Sequence, residues 1–183
     1  MRRLPLRPLV FIPIYIALGF FVPAYAVNTG GIDALSLAMA AIFVCTLLHV
    51  TWIWRALAFA AGHDPTRGPR RLARARPLAL AVALATVLVF AIAWLVPPLA
   101  PLGPEWLAAV EPFLIFAMVV GFFMLAWCAA RTVCDAEVES GAPSHAAIGT
   151  FLALLYLVIG APFVYGRLRA LGAGPLTNSP RAA

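Results

Sequence analysis

The chain has 183 residues, 64% apolar and 11% charged, with a mean hydropathy of +0.98. Soluble domains carry about 25% charged residues, so this composition cannot cover a water-facing globule, and the lack of any long polar tract excludes a disordered chain. The remaining class is an all-α, polytopic transmembrane helix bundle forming a single domain over 1–183. The net charge is +6, and every basic residue is an arginine. Such a balance could indicate nucleic acid binding, but the arginines fall in the gaps between apolar runs, where membrane orientation requires them.

Crossing a hydrocarbon core about 30 Å thick takes roughly 20 apolar residues. The first stretch that qualifies is 9–27, preceded by Arg2, Arg3 and Arg7. Within it, Ala24-Tyr25-Ala26 imitates a signal-peptidase site. The apolar run is about 18 residues, longer than the usual hydrophobic region of a signal peptide, so retention as a span is expected. The second stretch is 32–54, closing on Trp52, Trp54 and Arg55; the third is 78–96, stopped by Pro97 and Pro98. The fourth is 106–130, interrupted by Glu111 and Pro112, and the fifth is 146–165, containing Gly160 and Pro162.

The connections 28–31 and 97–105 are short and free of arginine. Arg55, Arg67, Arg70, Arg71, Arg74, Arg76 and Arg131 all fall on the side of the N-terminal arginines. The positive-inside rule therefore places the N-terminus and a basic loop, 62–76, in the cytoplasm. The fifth stretch conflicts with that rule: if it spans, Arg167, Arg169 and Arg181 emerge outside. A re-entrant hairpin breaking at Gly160 to Pro162 would return them, provided the bent backbone were buried in protein. Its length favours spanning, and spanning is the expectation.

Three intramembrane polar residues, Glu111, His49 and Tyr25, are candidates for function. Glu111 lies five residues beyond Trp106, roughly 7–8 Å along the helix, where an unpaired carboxylate costs about 2–3 kcal/mol. It is either a proton- or cation-responsive group facing a cavity or an interfacial Glu favoured by the helix dipole, with Tyr25 or Asn28 as hydrogen-bond partners. His49 shares one face of its helix with Ala34, Ala38, Ala41, Cys45 and Trp52. Small residues on that face let another helix approach, so His49 is expected to hydrogen-bond a neighbouring helix. A metal would need more ligands than His49 and Cys45 supply, and neither metal nor cofactor is expected. The three cysteines form no CxxC pair, which speaks against a disulfide framework.

The arginines of the basic loop, Arg67, Arg70, Arg71, Arg74 and Arg76, suit anionic headgroups at the cytoplasmic face, each worth about 1 kcal/mol. No aromatic residues are interleaved for base stacking, so nucleic acid is not expected. Beyond the fourth span, Asp135, Glu137 and Glu139 form an acidic cluster. Arg131 and Asp135 are spaced for an i,i+4 pair. Glu137 or Glu139 is expected to clamp onto Arg70, Arg71 or Arg74. No GxSxG, HExxH or Walker A pattern occurs, and a lipid-acting enzyme would have only Tyr25 or Thr51 beside Glu111 and His49.

The order Glu111-Pro112-Phe113-Leu114 through Trp127, then Ala129-Ala130-Arg131-Thr132-Val133 and Glu137, then Ile148-Gly149-Thr150-Phe151-Leu152, then Gly160 and Arg167-Leu168-Arg169 covers roughly the last 60 residues. It resembles a group of small bacterial membrane proteins with no assigned activity. Their helix ends in an Ala-Lys-Ser-Leu-like run and a Glu, followed by an apolar segment closing on a Pro-Arg-Ile-Asn-like tail. Here Tyr165-Gly166-Arg167 replaces their Gln-Pro-Arg. The resemblance implies a multi-pass protein of the bacterial inner membrane and adds no mechanism. The expected function is a non-catalytic interaction or assembly component, with a membrane-protein partner or homo-oligomer. The alternative is a small-solute or proton-coupled transporter using Glu111.

Overall fold

Pro8 begins the first helix at its first position, where a missing N–H costs nothing, and the Arg7 carbonyl accepts from the Val10 and Phe11 amides at 3.0 Å. The computed structural model describes residues 4–5, 7–99, 105–141 and 145–173. Helix α1 (Pro8–Ile16) continues through a π-helical turn (Ala17–Phe21) into α2 (Val22–Thr29). The wider turn precedes Pro23, which has no N–H to offer the Gly19 carbonyl, and the register shifts so that the Val22 amide reaches Ala17. Gly30 (φ 69°) and Gly31 (φ 97°) then reverse the chain in a conformation that side chains resist.

Helices α3 (Ile32–Ala61), α4 (Gly68–Leu99) and α5 (Glu105–Glu139) follow. With the first helix they make four helices long and apolar enough to cross a membrane, as expected of a multi-pass protein, and no strand occurs among the described residues. Two boundaries differ from the sequence reading. Helix α3 runs on to Ala61, and α4 starts at Gly68, so most of the expected 62–76 loop is helix. The cause is Asp64-Pro65. The Asp64 carboxylate accepts from the backbone amides of Thr66 and Arg67 at 3.1 and 2.8 Å, as an N-cap does, with proline next.

The fifth apolar stretch, expected to span, is not one continuous helix. Helix α6 (Ala147–Leu155) ends at Tyr156 (φ −93°, ψ 61°), and α7 (Leu157–Gly172) begins there. In a continuous helix, Thr150 and Arg167 would lie about 25 Å apart; here their side chains are hydrogen-bonded at 2.5 Å. The rings of His145 and Phe163 are 5.7 Å apart. Helices α6 and α7 are thus the two arms of a hairpin, the shape that the re-entrant alternative requires, broken at Tyr156 rather than at Gly160 to Pro162. Its tip reaches Tyr15, Gly19 and Cys45, which share a cleft with Val158.

Gly160 makes the reversal possible. A Cβ there would stand 1.9 Å from the Ala153 carbonyl oxygen, so only a residue without a side chain lets the arms meet so closely. The hairpin packs into the end of the bundle that carries the arginines. There Trp52, Ile53, Leu57, Leu125, Val133, Leu154, Leu157, Val164 and Leu168 form the core with Phe11 of α1. Ala56, Ala60, Ala126, Ala129 and Ala130 are fully buried among them, which brings the helices close together. The α3 face of Ala38, Ala41, Cys45, His49 and Trp52 is likewise buried inside the chain.

Candidate functional site

Stopping α6 at Tyr156 frees the Leu154 carbonyl from helical bonding in an apolar surrounding. His49 of α3 takes it, with Nε2 at 2.9 Å. A carbonyl only accepts, so Nε2 carries the hydrogen and Nδ1 is an acceptor for the Tyr15 hydroxyl at 3.1 Å. The imidazole therefore joins the first helix to the hairpin tip. Phe122 of α5 closes the pocket, its ring edge-on to the imidazole at 4.7 Å between centroids. The Cys45 thiol lies 3.8 Å from the Tyr15 carbonyl, as a weak donor.

At the other end of the hairpin, Arg167 of α7 meets Glu137 of α5 in a two-pronged pair, Nε to Oε1 and Nη2 to Oε2, each at 2.5 Å. Its Nη1 donates to the Thr150 hydroxyl of α6 at 2.5 Å, and Nη2 also lies 3.6 Å from Cys134 Sγ. The Phe163 ring covers the guanidinium at 5.5 Å. The Arg167 and Glu137 side chains are only 7% and 3% exposed, so each neutralises the other where water cannot. His145, half exposed, stands with Nδ1 at 3.5 Å from Glu137 Oε2.

Glu137 therefore holds the hairpin, and the expected clamp to the arginines of α4 does not involve it. That contact is made instead by Arg71 and Asp135. Asp135 turns to Arg71 rather than to Arg131, whose guanidinium lies 5.4 Å over the Trp127 ring. Glu139 is exposed, as are Arg67, Arg70, Arg74 and Arg76. The expected roles differ for a steric reason: Glu137 points into the bundle, toward α7, and Asp135 lies on the flank facing α4.

The Asp64 carboxyl is also buried. Burial pushes it up, but the Arg67 amide, the Thr66 hydroxyl and amide, and the nearby Arg71 guanidinium outweigh that and hold it below the usual Asp value. A depressed carboxylate stabilises the fold above its unfolded pKa of about 3.9 and loses that contribution as pH falls through the folded value. Wild type is thus expected to lose thermal stability below about pH 4, and Asp64→Ala to be less stable by about 1 kcal/mol at neutral pH through the missing cap. An acid profile that Asp64→Ala leaves unaltered would remove Asp64 from this role.

Glu111 lies on α5 one residue before Pro112, and its side chain is outside the described residues, as are Arg2, Arg3 and Arg181. Of its two expected partners, Asn28 donates to the Ala24 carbonyl at 2.9 Å, and Tyr25 is 63% exposed. His49 meets α5 at Phe122, three turns beyond Glu111. No group of three potential metal ligands occurs among the described residues. Arg167, Thr150, Cys134 and Tyr15 were not singled out from the sequence. The one signal for Arg167 was its conflict with the charge rule.

Comparison with known protein families, curated proteins and solved structures gives no match.

Proposed function

We propose that the protein is a non-catalytic interaction or assembly component of the bacterial inner membrane, with its N-terminus and arginine-bearing end in the cytoplasm. The observation that supports this reading is that the buried His49 and Arg167 side chains are already engaged in holding the fold. His49 is held between Tyr15 and Leu154, and Arg167 between Glu137, Thr150 and Cys134. Using either group for chemistry would unlock the hairpin. The orientation rests on the hairpin returning Arg167 and Arg169 to the end that holds Arg67, Arg70, Arg71, Arg74 and Arg76, in line with the positive-inside rule. These exposed guanidiniums are suited to anionic headgroups.

The small-residue face of α3 is occupied within the chain, so contact with a partner falls elsewhere. The hairpin presents a groove of about 630 Å³ lined by Gly149, Ala153, Gly160 and Phe163, with Ile159 81% exposed beside it. Every described side chain over 109–120 of α5 is also exposed or half-exposed. Small residues in an open groove favour a transmembrane helix as partner, another protein or a second copy.

A photo-crosslinking residue at 159 is expected to give one discrete protein adduct in native membranes, and the same residue at 84 on α4 only lipid adducts. Lipid adducts alone at 159 would remove the reading. A second reading, a small-solute or proton-coupled transporter using Glu111, is favoured by the broken hairpin, since interrupted helices build many transporter sites. It requires pH-dependent flux in proteoliposomes that Glu111→Gln abolishes at normal expression; the first reading requires no flux.

A further inference from the structure

Helices α1 and α7 do not close against each other along their whole length. Between them, at the arginine-bearing end, lies a cleft of about 730 Å³ lined by Arg7, Ile12, Pro13, Pro162, Tyr165 and Arg169, among others. The two prolines explain the gap: each helix presents a short ring where a longer side chain would fill the space. Arg7 precedes the first turn of α1 and Arg169 lies in the last turn of α7, so both stand at the end where the bundle meets one membrane surface. Both are exposed, and neither guanidinium has an ion pair among the described residues.

None of the described residues lining the cleft is acidic. The acids at this end are engaged elsewhere: Asp135 by Arg71, Glu137 by Arg167 and Asp64 in capping α4. The remaining one, Glu139, lies on α5, outside the cleft. Two unneutralised guanidiniums therefore border a slot whose walls at Ile12, Pro13 and Pro162 are apolar. We propose that this cleft is a binding site for one anionic glycerophospholipid, its phosphate between Arg7 and Arg169 and one acyl chain along Ile12, Pro13 and Pro162. An acidic peptide would leave the apolar walls unfilled, and a neutral lipid would leave the charge unmatched. Basic pockets between helices at the cytoplasmic surface recognise phospholipid headgroups in this way. The site is separate from the exposed arginines of α4, which face headgroups without an apolar slot.

The test is native mass spectrometry of the full chain in neutral detergent, titrated with dioleoyl phosphatidylglycerol or dioleoyl phosphatidylcholine. Wild type is expected to retain one phosphatidylglycerol more tightly than phosphatidylcholine. R7Q/R169Q is expected to weaken phosphatidylglycerol by about thirty-fold, since each arginine contributes a factor of about five. R70Q/R74Q, which removes the same charge from positions outside the cleft, is expected to shift it less than about two-fold, because neither side chain lines the site. Ile12→Trp, which fills the slot and leaves the charge, is expected to weaken it as well. Equal losses in R7Q/R169Q and R70Q/R74Q, no preference between the two lipids, or full competition by glycerol phosphate without acyl chains would each overturn the proposal.

Discussion

Arg167→Met is expected to lower the stability of the detergent-solubilised protein by about 3–5 kcal/mol, because it leaves the Glu137 carboxylate buried without its partner. Glu137 is only 3% exposed. Its other basic neighbour, His145, lies 3.5 Å away in a half-exposed position and offers one nitrogen where Arg167 offers two. Glu137→Leu is expected to cost a similar amount, by stranding the guanidinium. The double replacement Glu137→Leu with Arg167→Met removes both charges and is expected to be far milder than the sum, since an apolar pair of comparable volume can match a buried ion pair. Unfolding midpoints of the four proteins give the coupling directly. Single effects that simply add would show that the two side chains do not act as a pair. Loss of the pair also frees Thr150 and Cys134, so α6 and α7 are expected to separate from the end nearest the arginines.

Gly160→Ala is expected to be strongly disruptive for a single added methyl. Its Cβ would fall 1.9 Å from the Ala153 oxygen and 2.4 Å from the Ala153 carbonyl carbon. Backbone cannot swing aside as a side-chain tip does, so the arms must part. Overpacking of this kind costs about 1–3 kcal/mol or more. Parting the arms also draws Leu154 away from His49, whose 2.9 Å contact satisfies an otherwise orphaned buried carbonyl. Cys134 reports the opening, because it is buried beneath Arg167 and Thr150. With Cys45 and Cys128 replaced by serine, maleimide labelling of Cys134 is expected to be slow in the parent and fast after Gly160→Ala. Unchanged labelling together with an unchanged melting temperature would show that the hairpin does not depend on this contact.

The contrast between Glu137 and Asp135 explains how far the site could be read in advance. Their charge and their position at the end of a long apolar helix are plain in the chain, and so is the need for basic partners. Which arginine each one meets depends on which flank of α5 faces α4 and which faces the hairpin, and adjacent sequence does not carry that information. His49 was legible as a group bound to a neighbouring helix, since a histidine amid small residues on a buried face must find a bond. Its partner, a backbone carbonyl 105 residues away, exists only because α6 stops at Tyr156. The N-cap at Asp64 is a local pattern, and it makes two more turns of helix out of an expected loop.

Amino-acid order alone determined that this is a helical membrane protein, because apolar runs of spanning length leave the backbone no other way to satisfy its hydrogen bonds in lipid. It also determined that the arginines before and after the first four apolar runs gather on one flank. The tertiary structure decided the fate of the fifth run, whose length permits crossing but whose return is stabilised by contacts distant in sequence. Gly160 against Ala153, His49 on Leu154 and Arg167 on Glu137 together favour the hairpin, and none of the three forms until the helices have packed.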